Sequence, residues 1–409
     1  MNKNKKCRVS GQELTEVINF GKQPLGNGFI QEANLVEEYF YEMAVGFSEQ
    51  SKLLQLMEQP EADKMFHDNY AFYSSTSNYM ASHFKKFAES IIDSEYISKE
   101  NPFVVELGCN DGIMLKHFST KGIKHLGIEP SKNVALEANK IGINTISVFF
   151  TENLAESIVR EQGHADIFMA ANVMCHIPNI CDVVRGIKKL LKNNGVAIFE
   201  DPYLGDIVQK VSYDQIYDEH VFLFSALSVK YLFNMHGMDL IDVIPQKTHG
   251  GSMRYVLANR GVYPKKPSVD LLIQEEARLG LDKTATYIEL ASKIKKSKED
   301  LLKILLRLKG EGKSLAGYGA TSKSTTILNY CGINSSILSF ICDTTPIKQG
   351  RLTPGTHIPV VPYQHFINNP PDYTVLFAWN HSEEIFEKER LYAEGGGRWI
   401  LHVPEVRIL

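Results

Sequence analysis

No stretch of this chain is apolar for long enough to cross a bilayer. No tract of lysine and arginine builds a cationic face either: the formal net charge is −4, and the 13 histidines are dispersed. Broad nucleic-acid binding is therefore not expected, although a local phosphate site stays open. The N-terminal "MNKNKKCRVSGQELTE" carries lysines with no apolar core behind them, so it does not read as a signal peptide. Only six cysteines occur (Cys7, Cys109, Cys175, Cys181, Cys331, Cys342), scattered and mostly in apolar surroundings. They read as reduced thiols of a cytoplasmic protein, not as a disulfide framework. Short-period repeats are missing too.

What is there is an ordinary globular composition, 44% hydrophobic and 22% charged, over 409 residues. That length exceeds what one core usually serves, so two or three domains are expected. The first hundred residues mix turn chemistry at Ser10-Gly11 and Pro24–Gly28 with short β-like pieces. "DNYAFYSSTSNYMASHFKKFAESII" turns amphipathic after Ser77 and predicts a helix. From residue 103, short apolar runs ("FVVELG", "HLGIEP", "ADIFMAANVM", "GVAIFEDP") alternate with helical patterns, the sign of a parallel α/β sheet. One such helix, "ICDVVRGIKKLLKNNG", is expected to close at Gly195, and "MDLIDVIPQ" and "GGSMRYVLANR" add late strands. Residues 268–310 read as a charge-laced connecting helix. A second alternating region follows, with "SLAGYGATSKSTTILNYCG", "LSFICDTTP", "YTVLFAWN" and "GGRWILHVPEV".

"VVELGCNDGIMLKHF" is a strand, a glycine turn and a helix start. Its Glu-x-Gly-x-x-x-Gly pattern, with Gly108 and Gly112, departs from the Gly-x-Gly-x-x-Gly that cradles a dinucleotide pyrophosphate. Glu106 and Asp111 suit a cationic ligand, and S-adenosylmethionine carries an ammonium and a sulfonium but no phosphate. Glu129 ends the next strand, 21 positions after Gly108, where a carboxylate accepts bonds from ribose hydroxyls. Asn172 and His176, in "AANVMCHI", stand at a strand's carboxyl end. Glu106, Gly108, Asn110, Asp111, Gly112, Glu129 and Asn172 are thus the cofactor candidates.

"YDQIYDEHVFLFSA" crowds Tyr217, Asp218, Glu219 and His220 against the apolar run Val221–Phe224. Either this is a polar loop before a core element, or it is a general base with its orienting groups at a pocket edge. In "GYGATSKSTT", a glycine turn with hydroxyls and Lys323 at a helix start suits phosphate.

Together these segments resemble the nucleotide-sugar C-methyltransferases of deoxysugar biosynthesis, in particular the C-3′-methyltransferases of thymidine-diphosphate 4-keto-deoxysugars. Matching stretches run in family order from "FGKQPLGNGF" through "ELGCNDGIMLK", "CHIP", "FEDPYLGDIV", "DQIYDEHVFLFSA" and "HGGSMRY" to "CDTTPIKQGRLTPGTHIPV" and "GGRWILHVPEV". The resemblance implies a small N-terminal domain (1–75), a Rossmann-like class I S-adenosylmethionine-dependent methyltransferase domain (76–265), a helical connection (266–305) and a C-terminal Rossmann-like α/β domain (306–409) that helps hold the nucleotide. It also implies Tyr217, Glu219, His220 and His176 as catalytic residues, with Tyr70, Tyr73 and Ser75 lining the sugar. Lys323, Lys348, Arg351, Asn380 and His381 are candidates for the substrate. His249, and Arg254 beside it, either approach the sugar or are scaffolding. No obligate protein partner, nucleic acid or membrane is implied.

One departure is sharp. The family's N-terminal module has four zinc-binding cysteines; here those positions read Cys7, Ser10, Ser48 and Ser51. Structural zinc needs four Cys or His donors, so no zinc is expected.

Carbon methylation requires carbon to become a nucleophile. A C-4 ketone acidifies the neighbouring C-3 proton, so the expected parts are a base (His220), donors at the enolate oxygen, and an in-line sulfonium methyl. Glu219 is expected to orient the imidazole or polarise the sugar; Tyr217, Tyr70 or Tyr73 would donate to the C-4 oxygen. The rivals are a sugar O-methyltransferase, which needs no carbanion, a nicotinamide oxidoreductase, which lacks its glycine pattern here, and a non-catalytic nucleotide-sugar binder.

Overall fold

Residues 5–32, 35, 38–61 and 78–409 are described by a computed structural model. Its strands form three sheets. The first is antiparallel: β1 (Thr15–Pro24), β2 (Phe40–Ser48) and β3 (Leu53–Leu56). A fourth strand completes it from far along the chain. β9 (Phe222–Leu223) pairs Leu223 with Leu54 and Phe222 with Gln55. The apolar run behind the Tyr217–His220 cluster is therefore core, but core of the N-terminal sheet.

The central sheet holds β4 (Phe103–Leu107), β5 (Lys124–Ile128), β6 (Thr145–Ile146), β7 (Ala165–Ala171), β8 (Leu191–Pro202), β10 (Met238–Gln246) and β11 (Ser252–Asn259). Their spatial order is β6-β5-β4-β7-β8-β11-β10, and β11 alone runs against its neighbours. β4 is buried along its whole length, which is why it reads as a continuous apolar run and not as an alternating one.

The helix expected to close at Gly195 stops earlier, at Leu190, and β8 begins at Leu191. Gly195 instead lies where β8 rides tightly over β7, so that a Cβ there would come within 2.9 Å of the Ala165 carbonyl. The lysine Nζ of Lys192 is drawn to Asp166 at 2.8 Å, within the register shift between the two strands. Tertiary pairing overrides the local helical pattern here.

The third sheet runs β14 (Val360–Val361), β13 (Ile341–Cys342), β12 (Leu315–Tyr318), β15 (Tyr373–Leu376), β16 (Arg398–Leu401) and β17 (Arg407–Ile408), parallel except for β17. Between it and the central sheet the expected single helix is two, Pro267–Arg278 and Thr284–Gly310, separated by a turn in which Gly280 is left-handed (φ 70°). The longer one buries Tyr287, Leu290, Ile294, Leu301, Leu305 and Leu308, a stripe at helical spacing. It packs on β1, and Phe47 of β2 lies against its Tyr287 at 4.6 Å between ring centroids. Among the described residues, no helix is long and apolar enough to cross a membrane.

Candidate active site

The carboxyl ends of β4, β5 and β7 meet at one edge. β4 ends in a turn whose Gly108, Asn110 and Gly112 all take left-handed backbone (φ 67°, 49° and 80°). Gly108 has no room for a side chain, since its Cβ would overlap the Val173 methyl beside Asn172. Glu129, just past β5, accepts backbone N–H groups from Asn110 (3.1 Å) and Ser131 (2.9 Å). Burial raises the pKa of its carboxyl. Burial also holds Glu106 well above the usual range, with Glu129 and Asp111 adding repulsion. Glu106 Oε2 and Asn172 Oδ1 are buried without a hydrogen-bond partner among the described residues. Three close carboxyl groups, with Glu106 Oε2 and Asn172 Oδ1 still unspent, form a site for a cationic ligand bearing a diol; the residues fit S-adenosylmethionine.

Facing this edge is the Tyr217–His220 loop, which a turn at Tyr213–Gln215 and strand β9 hold from either side. His220 Nδ1 lies 2.7 Å from the carbonyl oxygen of Gln215 and Nε2 lies 2.9 Å from Tyr217 Oη. A carbonyl only accepts, so Nδ1 carries the hydrogen and Nε2 presents its lone pair, to which the phenol donates. Burial lowers the imidazole pKa well below its ordinary value, reinforced by His176, whose ring stacks on it at 5.3 Å. His176 itself is pushed down to about 4 by burial. The imidazole therefore stands neutral, the form that takes up a proton.

Glu219 does not orient that imidazole. Its Oε1 accepts from Asn27 Nδ2 at 2.7 Å, and both nitrogens of the imidazole are taken by other partners. Burial, followed by repulsion from Asp218, raises the Glu219 pKa and favours the protonated acid. Asp218 is raised by burial too, while its Oδ1 accepts Gly26 N–H at 3.0 Å. Residues 25–29 of the N-terminal segment thus wall the site. Gly26 is required there, since a Cβ would sit 2.7 Å from Asp218 Oδ1. Thr325 Oγ1 donates to Gly26 O (2.9 Å) and Arg351 to Phe29 O (3.1 Å), tying the same loop to the third sheet's lobe.

From that lobe Lys323 enters at the start of the helix Ser322–Cys331, in electrostatic reach of His220, His249 and His381. Burial lowers its ammonium to about 8, and Asp214 opposes the shift. Lys348 donates to Ala320 O at 2.8 Å and is likewise lowered by burial. Asn380 and His381 lie half-buried in a short turn whose Trp379 donates to Asp214 Oδ2 at 2.6 Å and packs over Gly250. His249, left-handed at φ 54°, is pushed down to about 3 by burial and leaves Nε2 without a partner among the described residues. Its neighbour Arg254 is scaffolding: the guanidinium is bound to Glu200 (2.9 Å) and stacked on Phe87. Arg351 spends one guanidinium nitrogen, Nη1, on the Phe29 carbonyl. Tyr70, Tyr73 and Ser75 lie outside the described residues. The sequence reading missed Asn27, which no local pattern flags because its partner is 192 positions away. It also missed Glu200, which gathers His83 (2.7 Å), Thr248 (2.9 Å) and Arg254.

Cys7, Ser10, Ser48 and Ser51 do converge, but on one another. Cys7 Sγ lies 3.3 Å from Ser51 Oγ, and Ser10 Oγ lies 3.3 Å from Ser48 Oγ. Backbone N–H groups of Val9 and Ser10 point at the sulfur. One thiol and three neutral hydroxyls do not fit structural zinc.

A parallel sheet with one reversed strand, and an acidic, phosphate-free cofactor edge opposite a buried neutral imidazole, define a class I S-adenosylmethionine-dependent methyltransferase. Three family descriptions match along the chain: a zinc binding domain (residues 7–66), a methyltransferase domain (78–243) and a C-methyltransferase C-terminal domain (247–404). The C-methyltransferase NovU of Streptomyces niveus is 31% identical over 406 residues, covering 98% of this chain and 96% of that protein. The chain belongs to this C-methyltransferase family, and it is an S-adenosylmethionine-dependent C-methyltransferase. A ubiquinone biosynthesis O-methyltransferase of Ralstonia nicotianae is 24% identical over 148 residues, 36% of this chain and 53% of its own. Among solved structures, a methyltransferase of Anabaena variabilis aligns over 45% of this chain and 86% of its own (16% identity, TM-score 0.36).

Proposed function

We propose that the protein methylates C-3′ of a nucleotide-diphosphate 4-keto-deoxysugar through an enolate. The observation that carries this is the tautomer of His220: the Gln215 carbonyl holds the hydrogen on Nδ1, so the buried Nε2 lone pair, which accepts from Tyr217, is the one offered to a proton. In this reading Nε2 leaves Tyr217 for the C-3 hydrogen and takes the proton. The electrons move onto the C-4 oxygen, and the released Tyr217 hydroxyl or the protonated Glu219 donates to it, as a carboxylic acid kept neutral by burial can. S-adenosylmethionine, held by Glu106, Asp111, Glu129 and Asn172, supplies the electrophilic methyl. Lys323, aided by Lys348 and the helix N-terminus at Ser322, takes the diphosphate, whose charge pulls a lowered ammonium back to its charged form. The division into lobes at 1–75, 76–265, 266–305 and 306–409 belongs to the same reading, supported by three separate sheets.

The test is mass spectrometry of 4-keto nucleotide sugars incubated with protein and methyl donor in heavy water. Methylated sugar, and deuterium entering at C-3 without the donor, are expected. Methylation on oxygen with no wash-in at carbon would overturn the reading.

A further inference from the structure

One buried nucleophile beside the base has no part in this chemistry. Cys175, between β7 and His176, is fully enclosed, and its Sγ with one ring nitrogen each of His176 and His220 forms a triangle of donors all within 4.8 Å of one another. We propose that Cys175, His176 and His220 form a binding site for a soft divalent cation of the zinc type, whose occupancy switches the enzyme off.

Four observations carry it. The donors are of the right kind: a thiol and two imidazoles are what zinc and its relatives select over magnesium or calcium. Tetrahedral zinc sets S and N donors about 3.5 Å apart, so the triangle has to close by at most about 1.3 Å, within reach of small rotamer changes. The outer support exists already. His220 directs Nδ1–H at the Gln215 carbonyl, the arrangement that aims the other nitrogen of a ligating histidine at its metal. And Cys175 stands against Asp201, which is fully buried, receives the Cys175 N–H at 3.1 Å and keeps Oδ1 without a partner among the described residues. A carboxyl there is a receiver for the thiol proton. On binding, the S–H bond breaks, sulfur forms a bond to the metal, and the proton passes by way of Asp201 to solvent. Three protein donors leave the fourth position to water.

The cation uses the lone pair of Nε2 that would otherwise take the substrate's hydrogen. Inhibition therefore rests on His220 being the base; binding does not.

The probes are cadmium and zinc chlorides added to the full-length protein. One equivalent of cadmium is expected to give a thiolate-to-metal charge-transfer band in the ultraviolet. Zinc at ten times its dissociation constant leaves about one-tenth of the methyl-transfer rate, recovered with EDTA. Cys175→Ala and Cys175→Ser keep the basal rate, while the band disappears and zinc inhibits at least about a hundredfold more weakly. The other five cysteines remain in both variants, so a band or an inhibition that survives in them sinks the proposal. A band in the parent protein with undiminished methyl transfer counts instead against the inhibitory switch and against His220 as base. No band in the parent, with His220→Ala inactive, removes the metal site and leaves the enolate reading standing.

Discussion

Asn27→Ala is the perturbation that most directly asks whether the N-terminal lobe belongs to the active site. The side chain gives one part-buried hydrogen bond, 2.7 Å to Glu219 Oε1, and nothing in its own segment predicts it. Removing it leaves a carboxyl oxygen unpaired in a closed site, a cost of about 1–3 kcal/mol. If that cost falls on the transition state, kcat/KM drops by about 5- to 150-fold. The direction of the accompanying pH shift is fixed. The bond from Asn27 lowers the Glu219 pKa against burial, so its loss raises it further. In the proposed mechanism Glu219 donates as the protonated acid, so activity is expected to fall as pH rises through its pKa. The alkaline limb of kcat/KM must therefore move to higher pH in Asn27→Ala.

Lys323, lowered to about 8, titrates on the same limb but gains nothing from Asn27. Glu219→Gln separates the two, since only the lysine step remains. The assay is the pH dependence of methyl transfer, with calorimetry of S-adenosylmethionine binding as a check that the fold holds. An alkaline limb that stays put in Asn27→Ala, with the rate lowered, would reduce Asn27 to packing and remove Glu219 as acid.

Other outcomes follow from the same geometry. His220→Ala should leave S-adenosylmethionine binding intact and cut methyl transfer by about 10²- to 10⁴-fold; retained C-3 exchange in heavy water would dismiss His220 as the base. Gly108→Ala forces a methyl into Val173 at φ 67°, so S-adenosylmethionine binding by calorimetry should weaken by at least about tenfold, and unchanged affinity would refute the close approach there. In the Cys175→Ala background, which lacks the proposed Cys175 site, elemental analysis should find no stoichiometric zinc, whereas adding Ser10→Cys, Ser48→Cys and Ser51→Cys together should bring in one ion per chain. Failure of the triple variant would mean the four positions do not form a metal-sized cluster.

The cofactor half of the molecule was legible because its signals are local. A strand, a glycine turn and a carboxylate 21 positions on report a continuous βαβ unit, and β4 to β7 fold as their sequence reads. Where local signals compete with pairing, they lose. The helix ending at Leu190 gives way to β8 four residues before the glycine that should have capped it. The Tyr217–His220 loop was legible in composition but not in connection. Tyr217, Glu219 and His220 announce acid–base chemistry, yet Glu219 turns to Asn27 and His220 to the Gln215 carbonyl. The first contact spans nearly half the chain, and the second uses a backbone atom that every residue possesses. Neither can leave a mark on side-chain pattern.

That same topology ties the Cys7–Ser10 turn to the Tyr217–His220 loop. β3 pairs with β9, and Leu56 N–H donates to Val221 O at 2.8 Å, one residue beyond His220. Gln55, opposite Phe222, in turn receives Arg8 N–H at 3.1 Å, between Cys7 and Ser10. The Cys7–Ser10 turn is therefore two bonded contacts from the Tyr217–His220 loop. This lobe closes the sheet under the Tyr217–His220 loop and supplies Asn27 to Glu219, so the proposed chemistry needs it folded, and hydrogen bonds of 3.3 Å between Cys7 and Ser51 and between Ser10 and Ser48 link its turns. These bonds are individually worth about 1 kcal/mol, far below a structural zinc site, so most of the burden falls on the apolar contacts of Phe20, Phe47 and Leu54 with the neighbouring lobes.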